Sequence, residues 1–195
     1  MSKGDDTRRA IVGEAMRLAS TVGLEGLSIG GLAEQVGLSK SGLFAHFRSK
    51  EKLQIEVIDA AAAAFVDRVV APALKEPRGE PRVRALIERW LEWASRALPG
   101  GCLFVTAAVE MDDRSGPVRD TVVKHQRDWL ATLARAARIA VEEGHFRPDL
   151  DAEGFAFEAH AMMLGAHHAV RLLQDPGALG RARAAFASLL TRSRA

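Results

Sequence analysis

Between Ser28 and Phe47 the apolar positions follow a helical period twice, with one break between the two runs. Ile29, Leu32, Ala33 and Val36 recur at i, i+3, i+4 and i+7, which lays a single apolar stripe along a helix. Ser28 precedes the stripe, where its hydroxyl can accept a first-turn N–H. Gly37 follows it, where a left-handed residue costs glycine least. Leu38 is expected to plug the turn, and Ser39 to cap a second helix on which Leu43 and Phe47 face inward. Lys40, Ser41 and Ala45 are left facing outward. The pattern predicts a helix-turn-helix at about 28–47 whose second helix has a small, polar, basic outer face suited to a DNA major groove. A helical hairpin with no partner would carry the same two stripes.

Helical periodicity continues on both sides. A first helix is expected from about Thr7 to Thr21, with Ile11, Ala15, Leu18 and Val22 facing inward and Gly23 stopping it; residues 1–6 are expected to fray. Packed on the helix-turn-helix it completes a three-helix head, because two helices alone bury too little. Leu53, Val57, Ala60, Ala61, Ala64 and Phe65 mark a long helix from Lys50 to near Pro72, and Pro77–Pro81 reads as a loop. Val83 to Trp93 is a further helix. The apolar run Cys102–Val109 could be a buried strand by period; its helical surroundings favour a short buried helix. Later helices are expected over Pro117–Glu143, from Asp151 to about Leu173, and from a cap at Asp175-Pro176 onward. The prediction is all-α, with about nine helices. They divide into a DNA-binding head at 1–52 and a helical ligand-binding and dimerisation body at 53–195.

The segment after the second helix adds chemistry. Phe44 to Leu53 holds Arg48, Lys50, Lys52 and His46. Lys50 in the first turn of a helix opposes the macrodipole, so helix stability does not explain it, whereas a phosphate contact would. Leu27-Ser28 through Ala33, Val36-Gly37-Leu38-Ser39, Gly42-Leu43-Phe44, His46-Phe47 and Ser49-Lys50-Glu51-Lys52-Leu53 together resemble the tetracycline-repressor (TetR) family of bacterial regulators, over roughly residues 8 to 55. The resemblance implies DNA contacts from Ser28, Ser39, Lys40, Ser41, Gly42, Phe44, Ala45, His46 and Lys50. The family usually carries tyrosine at the position of Phe44, with its phenol on a DNA phosphate. This chain has no tyrosine, so that contact is absent or falls to His46, Ser41 or Lys50. Arg8 and Arg9 read equally as an arm reaching phosphate and as a solvated helix start.

Composition changes this picture little. The chain has 195 residues, 48% apolar and 27% charged, with a net charge of +2. Residues 1–50 hold seven Lys/Arg against five acids, and the remainder balances, so the excess lies in the head. Cys102 is the only cysteine, which excludes an intrachain disulfide and fits a reducing compartment. Neither a signal-type segment nor a membrane span is seen, so a cytoplasmic protein is expected. There is no phosphate loop, nucleophile elbow or metal-ligand spacing; no enzyme, cofactor or metal is expected. His160, His167 and His168 are the best metal candidates but read as packed imidazoles rather than metal ligands, and Cys102 in apolar surroundings as an inert thiol.

The run Cys102–Val109 with Met111–Arg119 resembles the body of one TetR subgroup. That resemblance implies a ligand pocket among Trp90, Trp93, Phe104, Trp129, Phe155, His160, Met163 and His167, with Thr106 and Glu110 as further polar groups. It also implies a four-helix dimer interface through Leu164, Gly165, His168, Leu172, Phe186, Leu189 and Leu190. For any one of these aromatics, plain core is the commoner role. The ligand is expected to be uncharged or weakly acidic and largely apolar, since the body has no glycine loop or clustered arginines for phosphate. Together these readings predict a homodimeric repressor of a palindromic double-stranded operator, released by a small molecule. The alternative is a small-molecule binding protein whose head no longer engages DNA.

Overall fold

Ser28, Ser39 and Ser49 each punctuate the chain as a helix cap. The structure, a computed structural model, describes residues 3–195 apart from the side chains of Lys3 and Asp5. Among the described residues there is no strand, and nine principal helices follow one another, in keeping with the expected all-α class. The first four are α1 (Lys3–Gly26), α2 (Ile29–Val36), α3 (Lys40–Phe47) and α4 (Lys50–Phe65). The chain leaves α4 through a π-helical turn, Val66–Val70, and a short helical turn, Ala71–Ala73. Then come α5 (Glu80–Arg96), α6 (Leu103–Met111), α7 (Pro117–Glu142), α8 (Ala152–Arg171) and α9 (Ala178–Ser193).

Two compact units result, and they do not follow chain order. One holds the chain through Ala64 together with Leu98–His125; the other holds Phe65–Ala97 and Gln126–Ala195. In the first, Ile11, Ala15 and Ala19 of α1 pack with Leu32, Leu43 and Phe47 of the helix-turn-helix and with Leu53, Val57 and Ile58 of α4. Leu103, Ala107 and Met111 of α6 and Val122 of α7 belong to the same core. The run is therefore helical from Leu103 onward, with Cys102 extended ahead of it, and its apolar side packs into the core of the first unit. In the second unit Val83, Leu86, Ile87, Trp90 and Leu91 of α5 are buried, as are Phe155, Ala159 and Met163 of α8 and Phe186, Leu189 and Leu190 of α9. The end of the chain is pinned there by a bridge between Phe146 and Arg194.

Several boundaries differ from expectation for local reasons. The expected fraying at Met1 and Ser2 lies outside the described residues, and from Lys3 the backbone is already helical. Gly23 does break α1, with φ 78 and ψ 170, but a further turn to Gly26 follows it. Val22, expected inside, is 46% exposed because the break turns it outward. Leu38 is likewise 37% exposed; the turn is held instead by its N–H donating to Ala33 O at 3.0 Å. Helix α5 starts at Glu80, so Pro81 sits in its first turn, where a missing N–H costs nothing. Asp175 does not cap α9. Its carboxylate accepts the Gly177 N–H at 2.9 Å, and the helix begins at Ala178. Among the described residues no helix is long and apolar enough to cross a membrane.

Candidate nucleic-acid interface and ligand region

The helix-turn-helix is built by side chains bonding the nearest backbone. Ser28 Oγ accepts the Gly31 N–H and Ser39 Oγ the Gly42 N–H, both at 3.0 Å, so each helix opens on a satisfied cap. Gly37 is left-handed, with φ 68 and ψ 29, and its N–H reaches Ala33 O and Glu34 O. This turn sets α3 with Leu43 and Phe47 buried while Lys40, Ser41, Phe44 and Ala45 stay exposed. A Cβ at Gly30 would come within 3.1 Å of Lys40 Cε, so the lysine stem lies over the start of α2. Phe44 is 53% exposed and offers no hydroxyl. Arg48 closes α3 in a left-handed conformation, φ 60, and Ser49 Oγ accepts the Lys52 N–H at 3.1 Å to open α4.

Two cations expected to reach phosphate are already engaged. Lys50 Nζ donates to Glu25 O at 2.6 Å and lies 3.8 Å from the Glu25 carboxylate. The lysine thus satisfies an orphan carbonyl at the end of α1, which accounts for a cation in the first turn of α4. Arg8 donates to both oxygens of Glu56 and to His46 O, and its guanidinium sits 4.9 Å from the centre of the Phe47 ring. It is neither arm nor solvated start; it ties α1 to α3 and α4. Arg9 pairs with Asp6. Arg48 and Lys52, exposed at the α3–α4 corner, complete the basic rim with Lys40. The run of cations signalled that rim, but which members stay unengaged depends on tertiary partners.

The aromatic set does not line one cavity. Trp93 and Trp129 both meet Phe65 edge-on, at 5.5 and 5.0 Å between centroids and 87° and 86° between planes. Each indole N–H of this pair is buried without a partner. Trp90 and His167 line a separate space of about 10 Å³, enough for one water, closed by Leu91, Ala94, Ala166 and Leu179. Phe155 meets Phe146 at a tilt of 43°, with centroids 5.6 Å apart, and Met163 is fully buried. Phe104 belongs to the first unit, 6.0 Å from the His125 ring, whose Nε2 is 2.9 Å from Asp59 Oδ1. Glu110 is not a ligand group here, since Oε2 accepts the Leu24 N–H at 2.7 Å. Burial pushes the pKa of His160 down, and burial followed by Arg171 and His168 does the same for His167. Cys102 is buried at the start of α6.

Two further expectations change. Phe186, Leu189 and Leu190 are each 2% exposed within a single chain, so their burial is intramolecular and a partner cannot use them. Leu164, Gly165, His168 and Leu172 are exposed, and Phe157 and Ala161 extend them along one face of α8. The expectation that the body lacks clustered arginines is overturned by a groove lined by Arg68, Arg89 and Arg96. The spacing of Arg89 and Arg96 puts them two turns apart on α5, but nothing in the sequence brings Arg68 to them.

Comparison with known proteins agrees with the geometry. Residues 11–57 match the model of bacterial regulatory proteins, tetR family, and residues 79–186 match the tetracyclin repressor-like C-terminal domain. The HTH-type transcriptional repressor NemR of Escherichia coli (strain K12) is 25% identical over 134 residues, 67% of each chain. A TetR transcriptional regulator from Chloroflexus aurantiacus superposes with a TM-score of 0.91 at 29% identity, covering 100% of this chain and 98% of that one. A third similar structure is AibR in complex with isovaleryl coenzyme A and operator DNA, with a TM-score of 0.69 and 24% identity over 82% and 85% of the two chains.

Proposed function

The chain belongs to the tetR family of bacterial regulatory proteins, and on that premise we propose that it is a cytoplasmic, homodimeric repressor released from a palindromic operator by a small, largely apolar ligand. The observation that carries the DNA part is the exposed face of α3. Lys40, Ser41 and Ala45 project from a helix whose two ends are fixed by Ser39 and Arg48, so the reading side chains are held on rigid backbone. Lys40 is positioned to donate to guanine, and Ala45 to lie against a thymine methyl. Ser28 and Ser39 spend their hydroxyl oxygens on caps, so they act by setting α3; His46 accepts Arg8 at its backbone carbonyl, which leaves the imidazole for a DNA contact. Without a tyrosine phenol at Phe44, phosphate contacts fall to Arg48 and Lys52, with the Ser41 hydroxyl and the His46 imidazole as the further candidates.

Two recognition helices reach successive major grooves only when about 34–36 Å apart, which calls for a dimer. The exposed apolar and small residues of α8 support one. The ligand part rests on the Phe65, Trp93 and Trp129 cluster. Its two unpartnered indole N–H groups suit a mostly apolar ligand that brings hydrogen-bond acceptors. Helix α4 opens at Ser49 beside α3 and ends at Phe65 in that cluster, so a ligand that shifts Phe65 biases the helix that carries the head. That AibR is described in complex with isovaleryl coenzyme A and operator DNA supports joining ligand and DNA binding on this fold.

Selection of bound sequences from a random DNA pool tests the reading. Enrichment of a palindrome with half-sites one helical turn apart is expected. Failure to enrich any sequence at low salt would favour the alternative, a ligand-binding protein with an idle head, for which the missing tyrosine at Phe44 is the one supporting observation.

A further inference from the structure

Three arginines without a carboxylate partner converge in the second unit. A groove of about 320 Å³ is lined by Arg68, Arg89, Glu92, Trp93, Arg96 and Ala97. Arg68 rides on the π-helical turn Val66–Val70, which anchors itself through buried Val69. Such wide turns recur at binding sites. Most other arginines of this unit are paired, as Arg78 is with Glu142 and Glu143, Arg84 and Arg194 with Glu80, and Arg183 with Glu88. Among the described residues none of the three groove arginines has an ion pair. Glu92 is the single acid among the lining residues, leaving the site at a net charge of +2.

We propose that this groove is an anion site that takes the phosphate-bearing end of a small organic ligand. Its net charge matches the roughly −1.5 to −2 of a phosphate monoester at neutral pH. Guanidinium forks bind phosphate oxygens in pairs, whereas one carboxylate offers two oxygens and one charge to three forks. Arg89 and Arg96 are separated by about 10 Å along α5, which suits a diphosphate better than a single compact acid. Trp93, 3% exposed at the groove wall, supplies a built-in fluorophore beside the three arginines. The proposal stands apart from the repressor reading, because DNA takes no part in its test.

The probe is sodium pyrophosphate, titrated into the full chain at constant ionic strength by calorimetry, with tryptophan fluorescence in parallel. Sodium octanoate serves as the carboxylate arm. Pyrophosphate should bind, and Arg68→Ala/Arg96→Ala should weaken it about tenfold or more, in line with the loss of charge-assisted pairs. Arg89→Lys, which keeps the charge and loses the fork, should weaken it as well. Arg127→Ala/Arg135→Ala removes the same charge from exposed positions on α7 outside the groove's lining and should change affinity less than about twofold, since solvent screens exposed charges that do not touch the ligand. Absence of pyrophosphate binding, equal losses in the two double variants, or octanoate binding as tightly as pyrophosphate with the same loss in Arg68→Ala/Arg96→Ala would each overturn the assignment.

Discussion

Glu110 Oε2 accepts the backbone N–H of Leu24 at 2.7 Å, across 86 positions of sequence. The bond falls where α1 is broken at Gly23, and the carboxylate does for the last turn of α1 what a capping side chain does for a helix start. The same turn is held from α4, because Gln54 Nε2 donates to Leu24 O at 2.7 Å and Lys50 Nζ to Glu25 O at 2.6 Å. A Cβ at Gly23 would overlap the Glu110 carboxylate, and φ 78 strains any L side chain there. Glu110→Ala should therefore lower stability by about 1–3 kcal/mol, the cost of an orphaned donor, while Glu110→Gln keeps an acceptor and loses less. Gly23→Ala should lose at least as much as Glu110→Ala. Urea unfolding of the three variants checks the order, and equal stability of Glu110→Ala and wild type would remove the proposed role.

Readers and anchors on the DNA side should separate by salt. Arg48→Ala or Lys52→Ala is expected to weaken all operators about equally and flatten the salt slope by roughly one unit each. Lys40→Ala should relax the preference at one base pair of each half-site, at about 1–3 kcal/mol. Lys50→Ala should behave differently from its expected role as a phosphate anchor. With its ammonium on Glu25 O, removal should cost about 1 kcal/mol of stability and leave the slope unchanged. A slope that fell by one unit in Lys50→Ala, with melting unaltered, would restore the phosphate role.

The legible parts of this fold are those decided within one helical turn. Ser28 bonds Gly31 and Ser39 bonds Gly42, each three residues on, and Gly37 ends its own helix; periodicity and cap chemistry therefore suffice for the helix-turn-helix. Illegible parts depend on which distant element lies alongside. Nothing near Lys50 announces Glu25, nothing near Arg8 announces Glu56, and the apolar run 103–111 does not say that it packs on α1, in one core with Leu43 and Phe47. The same holds for Phe186. An apolar stripe on α9 is equally consistent with a partner chain and with its own core, and only packing decides.

The buried imidazoles of α8 should give the protein a pH-dependent stability in a defined window. His160 and His167 titrate below the ordinary value of 6.5 in the folded chain, so as pH falls through 6.5 the unfolded chain takes up protons first. Stability should drop from there and level off below the lowered folded values. Glu80, held down to about 2 by Arg194 and by Arg84 against its own burial, contributes in a separate, more acidic window, from about 4.5 downward. Urea midpoints at pH 7.5, 6.5 and 5.5 for wild type and His160→Leu/His167→Leu should show the slope shrinking in the variant. Identical slopes would mean that these two groups are not the cause.

The dimer prediction moves from α9's core residues to the outer face of α8. Phe157, Ala161, Leu164, His168 and Leu172 succeed one another at helical spacing, and all are exposed, Leu172 at 70% and Phe157 at 73%. Alongside, α9 exposes Ala184, Ala187, Ser188 and Thr191, small enough for a neighbouring helix to approach closely. A face of this kind is costly to leave in water and suits a symmetric four-helix contact. Leu172→Asp leaves the single chain's core untouched, so it should keep its melting cooperativity while shifting from dimer to monomer in sedimentation velocity. Operator binding should fall with it, since each head alone reads half a site. Phe186→Asp should instead unfold the second unit, because truncating a buried phenylalanine already costs about 3–5 kcal/mol and an unpaired charge adds to that. Wild type sedimenting as a monomer at micromolar concentration, or Leu172→Asp remaining a dimer, would show that the interface lies elsewhere.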